Sequence, residues 1–236
     1  TRASAMANVV VNNAAVGFNN ATSGTYSGAI SGSGLLTKLG DGDMTLTGTN
    51  TYSGGTQILA GSLIGNTTSL QGNIAVSAVS GGNLKFNQAT SGTFSAVLSG
   101  NGNFFKLGAA DLTLTGTNTN TGAWTVSNGR LIGTTNSMRG NITNSAAVTF
   151  DQATTGTYAF VMSGNGSLTK LGEGTVSLTG TNTYSGATVV DDGELTVNGS
   201  IASSEVTVNS GGSLSGSGTV GGISGAGSIN PGNSPG

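Results

Sequence analysis

The sequence lacks the residues on which much protein chemistry depends. It contains no cysteine and no histidine, only 2 prolines, and only 7% charged residues. Without cysteine there is no disulfide framework, no thiolate chemistry and no cysteine-based metal site. Without histidine the commonest general base, the commonest metal ligand and the usual pH switch are absent. Because 7 basic residues stand against 9 acidic ones, there is no basic footprint for nucleic acid and no nucleic-acid partner is expected.

Long apolar runs are also missing, and no stretch approaches the ~18–20 residues of a membrane-spanning helix. The chain instead has 43 glycines among its 236 residues, set between short groups of Val, Ile, Leu, Thr, Ser and Asn. Disordered chains usually combine high net charge with few apolar residues, whereas this chain has a net charge of -2 and 35% apolar residues. This composition favours many short strands joined by Gly and Asn turns.

Three segments of the chain are close copies of one another. They begin at Ser31 (SGSGLLTKLGDGDMTLTGTNTYSGGTQ), Ser99 (SGNGNFFKLGAADLTLTGTNTNTGAWT) and Ser163 (SGNGSLTKLGEGTVSLTGTNTYSGATV), with offsets of 68 and 64 residues. The four-residue difference lies around Gly81-Gly82, where a loop absorbs extra length at small cost. We therefore divide the chain into 1–17 (the end of a preceding copy), 18–85, 86–149 and 150–204 (three repeats), and 205–236 (Gly-rich terminal coils).

Each copy alternates apolar and small polar residues over short runs such as Met44-Thr45-Leu46-Thr47, which predicts strands with one buried face. No segment has the pattern of a long amphipathic helix. A long internal repeat favours a β-solenoid over a sandwich or a barrel, because each coil packs against a similar coil. We predict one rod of roughly 10–11 coils, with three coils of about 21–23 residues in each repeat and a length of about 50 Å.

The segment from Leu36 to Thr56 reads L-x-K-x-G-x-G-x-M-x-L-x-G-x-N-x-Y-x-G-x-T, and it resembles the autotransporter-associated β-strand repeat (passenger-associated transport repeat). That repeat belongs to passenger domains of type V secretion in Gram-negative bacteria. The tail SGAGSINPGNSPG is similar to a motif near the end of many such passengers. The resemblance implies a right-handed parallel β-helix, tethering through an outer-membrane barrel outside this chain, and exposure at the cell surface. The second copy departs from the pattern at Ala109-Ala110 and at Asn120.

No catalytic, cofactor-binding or metal-binding residue is predicted. Asp41-Gly42-Asp43 suggests a calcium loop, but the pair is not repeated in the other copies, so we interpret it as a solvated turn. Asp191, Asp192 and Glu194 form the densest acidic cluster and are interpreted in the same way. Paired carboxylates for glycoside hydrolysis are not excluded by spacing alone. The serines have no histidine to activate them, and we predict that this segment is not an enzyme.

Four residues are candidate partner contacts. Lys38, Lys106 and Lys170 recur at equivalent positions and are expected to point outward, where lysine discourages edge pairing. Trp124, the single tryptophan, stands where the other copies have threonine. It either fills space left by the tyrosine missing from the same copy or forms an exposed anchor for a partner.

The leading hypothesis for function is a surface-exposed adhesive rod, which binds another copy of itself or molecules of a host or matrix surface through many weak contacts. One alternative is a passive stalk that presents an enzyme, such as a protease, located upstream of Thr1. Another is part of a secreted toxin passenger.

Overall fold

The computed structural model describes residues 9–232, and within this range all regular structure is β. Part of the predicted preceding copy (1–8) and the end of the PGNSPG tail (233–236) lie outside the described residues. The first thirteen strands are β1 (Val10–Val11), β2 (Ala15–Asn19), β3 (Gly24–Tyr26), β4 (Ile30–Ser31), β5 (Leu35–Leu39), β6 (Met44–Leu46), β7 (Thr56–Gly65), β8 (Ile74–Asn87), β9 (Gly92–Phe94), β10 (Leu98–Gly100), β11 (Asn103–Leu107), β12 (Leu112–Leu114) and β13 (Trp124–Val126). The remaining strands are β14 (Arg130–Gly133), β15 (Ile142–Asn144), β16 (Ala147–Asp151), β17 (Gly156–Tyr158), β18 (Met162–Ser163), β19 (Ser167–Leu171), β20 (Thr175–Leu178), β21 (Thr188–Val197), β22 (Ser200–Ile201), β23 (Val206–Gly216), β24 (Thr219–Val220), β25 (Ile223–Gly225) and β26 (Ser228–Pro231).

Every strand pair in this range is parallel, and strands pair with those one coil before and after them, so the chain winds into a β-solenoid of about 11 turns. The coils differ in length. A short coil separates the paired residues Ser213 and Ser228, whereas a long one separates Ile74 and Leu98. The predicted fold class and the predicted number of coils are both confirmed.

The strands lie on three faces of the rod. Face 1 comprises β2, β5, the first parts of β7 and β8, β10, β17, β20, the second parts of β21 and β23, and β26. Face 2 comprises β3, β6, the second parts of β7 and β8, β11, β13, β15, β18, β22 and β24. Face 3 comprises β1, β4, β9, β12, β14, β16, β19, the first parts of β21 and β23, and β25.

Where a face has no regular strand, single hydrogen bonds continue the stack. The amide of Thr51 donates to Ile30 on face 3, that of Thr119 to Leu98 on face 1, and that of Thr183 to Met162 on face 2. These three threonines occupy equivalent positions in the three repeats. The same segment of the repeat therefore lies on a different face each time.

The repeat and the coil are out of phase. Equivalent strands β5, β11 and β19 lie on faces 1, 2 and 3, so each repeat spans three complete coils and one further face. The predicted division of each repeat into three whole coils is therefore wrong. Most coils are shorter than a third of a repeat, as the pairing of Val10 with Ile30 shows, so three coils do not use up the whole repeat. Equivalent side chains consequently form no column along the rod.

The interior is a continuous apolar core whose residues alternate with outward-facing ones along each strand. In β5, Leu36 is fully buried and its neighbours Leu35 and Thr37 are half-buried, as the alternating sequence predicts. Burial of this stripe stabilises the rod by roughly 25 cal/mol for each Å² of apolar surface removed from water. The core fixes the positions of the corners and of the three faces.

Candidate functional site

The three repeated lysines lie inside the rod. Lys38, Lys106 and Lys170 are each 0% exposed. The Lys38 Nζ donates hydrogen bonds to the carbonyl oxygens of Leu39 (2.8 Å) and Gly40 (2.7 Å), and to Ala60 of the next coil (3.1 Å). Each lysine thus joins the corner of its own coil to the corner of the next.

The other two repeats reproduce this arrangement closely. Lys106 Nζ lies 2.9 Å from the carbonyl oxygens of Leu107, Gly108 and Asn128. Lys170 Nζ donates to Leu171 (2.9 Å), Gly172 (2.6 Å) and Asp192 (3.0 Å). In each repeat the glycine two residues after the lysine has a positive φ of 70 to 77° (Gly40, Gly108 and Gly172). We call these three arrangements the lysine corners.

Burial lowers the pKa of all three lysines, and nearby carboxylates oppose that shift. Asp43 and Asp41 act on Lys38, Asp111 acts on Lys106, and Asp192 and Asp151 act on Lys170. The prediction that these lysines point outward is wrong, because the Lys-Leu-Gly turn offers carbonyl oxygens on the inner side. The structure gives no surface for a partner contact at Lys38, Lys106 or Lys170. The Lys-Leu-Gly sequence, which recurs in all three repeats, was the signal from which this buried link between coils could have been predicted.

Trp124 is also fully buried. Its ring stacks on Phe104 at 5.2 Å between centroids and on Phe86 at 6.4 Å. The interpretation of Trp124 as a space-filling residue fits this packing, whereas an exposed anchor for a partner is contradicted. Its Nε1 and the Oδ1 of Asn120 are both buried and make no hydrogen bond within the described chain.

The acidic turns are occupied by hydrogen bonds and one ion pair. Asp43 pairs with Lys85 at 3.0 Å. The Asp191 carboxylate accepts a short hydrogen bond from Asn209, and that of Glu194 accepts bonds from Ser215 (2.5 Å) and Thr175 (3.2 Å). Among residues 9–232, no group of three or more acidic side chains is arranged to hold a metal ion.

The outward surface consists of ladders in which one side chain from each coil follows the next. On face 3 the register gives the ladder Thr93, Thr113, Ile132, Thr149, Thr169, Val189, Thr207, Ser224, in which Thr149 is buried. On face 1 it gives Gly17, Thr37, Gln57, Ala75, Ser99 and, further along the rod, Thr157, Ser177, Thr196, Ser215, Asn230. None of these side chains is charged. Hydroxyl groups within a ladder contact one another, as Thr196 and Ser215 do at 3.0 Å.

Face 2 departs from this neutral pattern in its middle. The ladder there is Thr25, Thr45, Ile64, Lys85, Phe105, Thr125, Thr143, Ser163. The Lys85 ammonium lies 5.9 Å from the centre of the Phe105 ring. At the adjoining corner, the register shifts within β7 and β8 and leaves Val79 90% exposed. This corner is the site of the predicted four-residue length difference.

In the described part of the chain, no helix is long and apolar enough to cross a bilayer.

The chain matches the model of the passenger-associated transport repeat three times, at residues 36–64, 104–132 and 168–197. Each match begins at the strand that carries a lysine-corner residue (β5, β11 or β19). The matched spans therefore start on three different faces of the rod. No solved structure matches the chain.

Curated relatives match stretches of 58 to 87 residues of the chain. An extracellular serine protease of Serratia marcescens is 53% identical over 74 residues, which is 30% of this chain and 7% of the relative. A second extracellular serine protease of that organism is 52% identical over 58 residues, 25% of this chain and 6% of the relative. The adhesin BmaC autotransporter of Brucella suis biovar 1 (strain 1330) is 45% identical over 87 residues, 35% of this chain and 2% of the relative.

The chain thus spans at most 7% of the length of each of these relatives. Together the three repeats and the similarity to autotransporter proteins support an autotransporter passenger domain, a class whose members are secreted or exposed at the cell surface.

Proposed function

We propose that this segment is a non-catalytic adhesive rod, held at the cell surface by the rest of the protein, whose faces bind a second copy of the rod or molecules of a host or matrix surface. The observation that carries the proposal is that the outward ladders on faces 1 and 3 contain no charged side chain and consist mostly of hydroxyl and amide side chains. Each such side chain offers a donor and an acceptor at the spacing of the coils, about 4.8 Å. The similarity to an adhesin supports the same conclusion.

The affinity of such a rod depends on the number of weak hydrogen bonds that it forms at the same time. One exposed hydrogen bond contributes about 0.5–1.5 kcal/mol, too little to hold a partner alone. A face of about 11 coils presents many such groups at once, and rods anchored together on a surface add avidity. The chain needs no single deep pocket for this function.

The chemistry of the described residues supports a non-catalytic role. The chain has no histidine or cysteine, and the lysines with lowered pKa are fully occupied by backbone carbonyl oxygens. The carboxylates of Asp43 and Glu194 are held by hydrogen bonds at the surface of the rod.

A passive stalk is the second candidate function. It is favoured by the similarity to two relatives whose names describe extracellular serine proteases. In that case the repeats would space an enzyme from the membrane, and their neutral faces would serve solubility and export.

Display of the 236-residue chain on non-adherent cells separates the two functions. An adhesive rod is expected to cause cell clumping or binding to coated matrix proteins, in proportion to the number of displayed copies. A displayed chain that produces neither effect, although folded by circular dichroism, would rule out the adhesive function and leave the stalk. A peptide and polysaccharide cleavage assay on the same purified chain tests the non-catalytic part of the proposal.

A further inference from the structure

One cation in the described part of the chain is neither enclosed in a lysine corner nor paired with a carboxylate. Three lysines are enclosed in the lysine corners, Lys85 pairs with Asp43, and Arg130 pairs with Asp111 at 2.7 Å. Arg139 remains. Its guanidinium lies 5.4 Å from the ring centre of Phe160, and its Nε is buried without a hydrogen-bond partner. A planar group with five donors is thus held against an aromatic ring with no carboxylate to balance its charge.

Four of the nine carboxylates collect on a different corner, whereas Asp41 and Asp43 lie on the corner of Arg139 but five coils away from it. The chain passes from face 3 to face 1 after β16, after β19 and within β21, and these three successive turns carry Asp151, Glu173, and Asp191 with Asp192. We call this edge the acidic corner. Arg139 lies in a turn from face 1 to face 2, just before β15 of face 2. Arg139 and the acidic corner therefore border opposite sides of face 1.

Face 1 itself carries little charge. Its outward ladder has no charged member, and Glu194 beside it is held by Ser215 and Thr175. About 11 coils at ~4.8 Å and a strand of about five residues at ~3.3 Å give a face of roughly 800 Å². That is the area which each partner buries in an interface of ordinary size.

We infer that face 1 pairs with face 1 of a second copy, the two rods lying parallel, with Arg139 of each rod against the acidic corner of the other at Asp151. This inference rests on the proposed adhesive function and specifies its partner. When the two rods are related by a two-fold axis along their length, the edge of face 1 that carries Arg139 in one rod lies opposite the acidic corner of the other rod, at the same height. Asp151 is then one coil from Arg139 of the other rod, because β14, just before Arg139, pairs with β16, which ends at Asp151.

An antiparallel pair is disfavoured by the same charges. A two-fold axis across the rods places each corner opposite its own copy, so that fully overlapping antiparallel rods bring the two Arg139 side chains close together. An antiparallel pair matches Arg139 with a carboxylate, Asp41 of the same corner five coils away, only where the two rods overlap over part of their length. The parallel arrangement joins neighbours anchored on one surface, whereas rods from opposing cells meet in opposite directions. The geometry thus points to pairing between copies on the same cell.

Charge exchange tests this pairing with the purified 236-residue chain. Arg139→Asp is expected to weaken self-association at least tenfold in sedimentation velocity, and Asp151→Arg to weaken it as well. The double variant Arg139→Asp/Asp151→Arg is expected to recover most of the loss, because the pair is restored with reversed sign. A neutral change on another face, Thr143→Ala on face 2, is the control and is expected to leave association unchanged.

Disulfide trapping tests the direction, because the chain has no cysteine of its own. A mixture of Arg139→Cys and Asp151→Cys chains is expected to form the mixed disulfide faster than either forms its own. Faster Arg139→Cys self-linkage overturns the parallel arrangement, as does equal association of the charge-reversed single variants. If the unmodified chain self-associates while these variants behave like it, the inference fails and the adhesive function stands. If the unmodified chain neither self-associates nor binds any surface, both fail.

Discussion

In the first repeat the hydroxyl groups of Tyr52 and Thr56 lie 2.9 Å apart within the core. The third repeat keeps the pair, with Tyr184 and Thr188 at 2.7 Å. The second repeat has Asn120 and Trp124 at the same two positions. One large and one small side chain are therefore exchanged between positions four residues apart. The change in volume at one position is compensated at the other, which is why both variants fit a core of constant width.

This exchange predicts strong coupling between the two positions. Trp124→Thr alone leaves a large cavity and is expected to destabilise the chain by about 3–5 kcal/mol. Asn120→Tyr alone overfills the core and is expected to cost about 1–3 kcal/mol. The double variant restores the pairing of the other repeats and is expected to be more stable than either single one. Urea unfolding of the four proteins measures the coupling, and simple additivity would contradict the exchange.

The lysine corners predict a large difference between two apparently similar substitutions. Lys106→Met removes three hydrogen bonds and leaves carbonyl oxygens buried without a donor, so a loss of about 2–4 kcal/mol is expected. Lys85→Met is the matched control. Its ammonium is partly exposed, pairs with Asp43 and lies over the Phe105 ring, and its loss is expected to cost less than about 1 kcal/mol.

The midpoints of thermal or urea unfolding compare the two variants directly. Equal effects would show that the buried ammonium contributes no more than a surface ion pair, which would contradict the role assigned to the lysine corners.

The sequence predicted the solenoid because the alternation in runs such as Met44–Leu46 and the internal repeat are properties of local composition. It did not predict the phase between repeat and coil. Coil length is set by where the chain turns, and packing between neighbouring coils decides this, as the unequal coils that end at Leu98 and Ser228 show. The burial of Lys38 was missed for another reason. The alternation places Lys38 on the same face as Leu36, but a charged side chain is expected inside only where its hydrogen-bond acceptors are known, and one of these lies in the next coil.

The outward ladders could not be predicted from the sequence either. Exposed threonines are visible in the sequence, but whether Thr157 and Ser177 form a column depends on the register between coils. The proximity of Arg139 to Phe160 joins residues that are distant in sequence and lie in neighbouring coils, and no local pattern contains it.

Two glycines with similar backbone angles predict different costs on substitution. Gly172 has φ 77°, and a Cβ there would lie 2.7 Å from the carbonyl oxygen of Gln152. Gly81 has φ 72°, and a Cβ there would meet nothing within 4 Å. Alanine at Gly81 is expected to cost only the backbone strain, about 1–2 kcal/mol. Alanine at Gly172 adds a clash with backbone at the lysine corner, and a loss larger by at least about 1 kcal/mol is expected.

Comparison of the two urea midpoints checks this prediction, with the unmodified chain as reference. An equal loss at both positions would mean that the coils separate readily at the lysine corner, against the close contact seen there.

The buried tyrosines predict loss of stability at alkaline pH. Burial raises the pKa of Tyr184 to about 12, although hydrogen bonds with Thr188 and Ser204 act in the opposite direction. Burial also raises the pKa of Tyr52, Tyr158 and Tyr26. The unfolded chain therefore loses protons from about pH 10, while the folded chain keeps them. Stability is complete below about pH 10 and falls as the pH rises towards 12, by up to about 3 kcal/mol for Tyr184.

The lysine corners act with the opposite sign, because their lowered pKa values make stability rise with pH, but only up to the ordinary lysine value near 10.5. Tyrosinate absorbance and the urea midpoint, followed together from about pH 9 to 12, separate the two effects. Tyrosinate is expected to appear only as the chain unfolds. Tyr184→Phe lacks one ionising group, and its stability is expected to fall less steeply over the same range. A tyrosine titration near pH 10 in the folded chain would show that the core admits water.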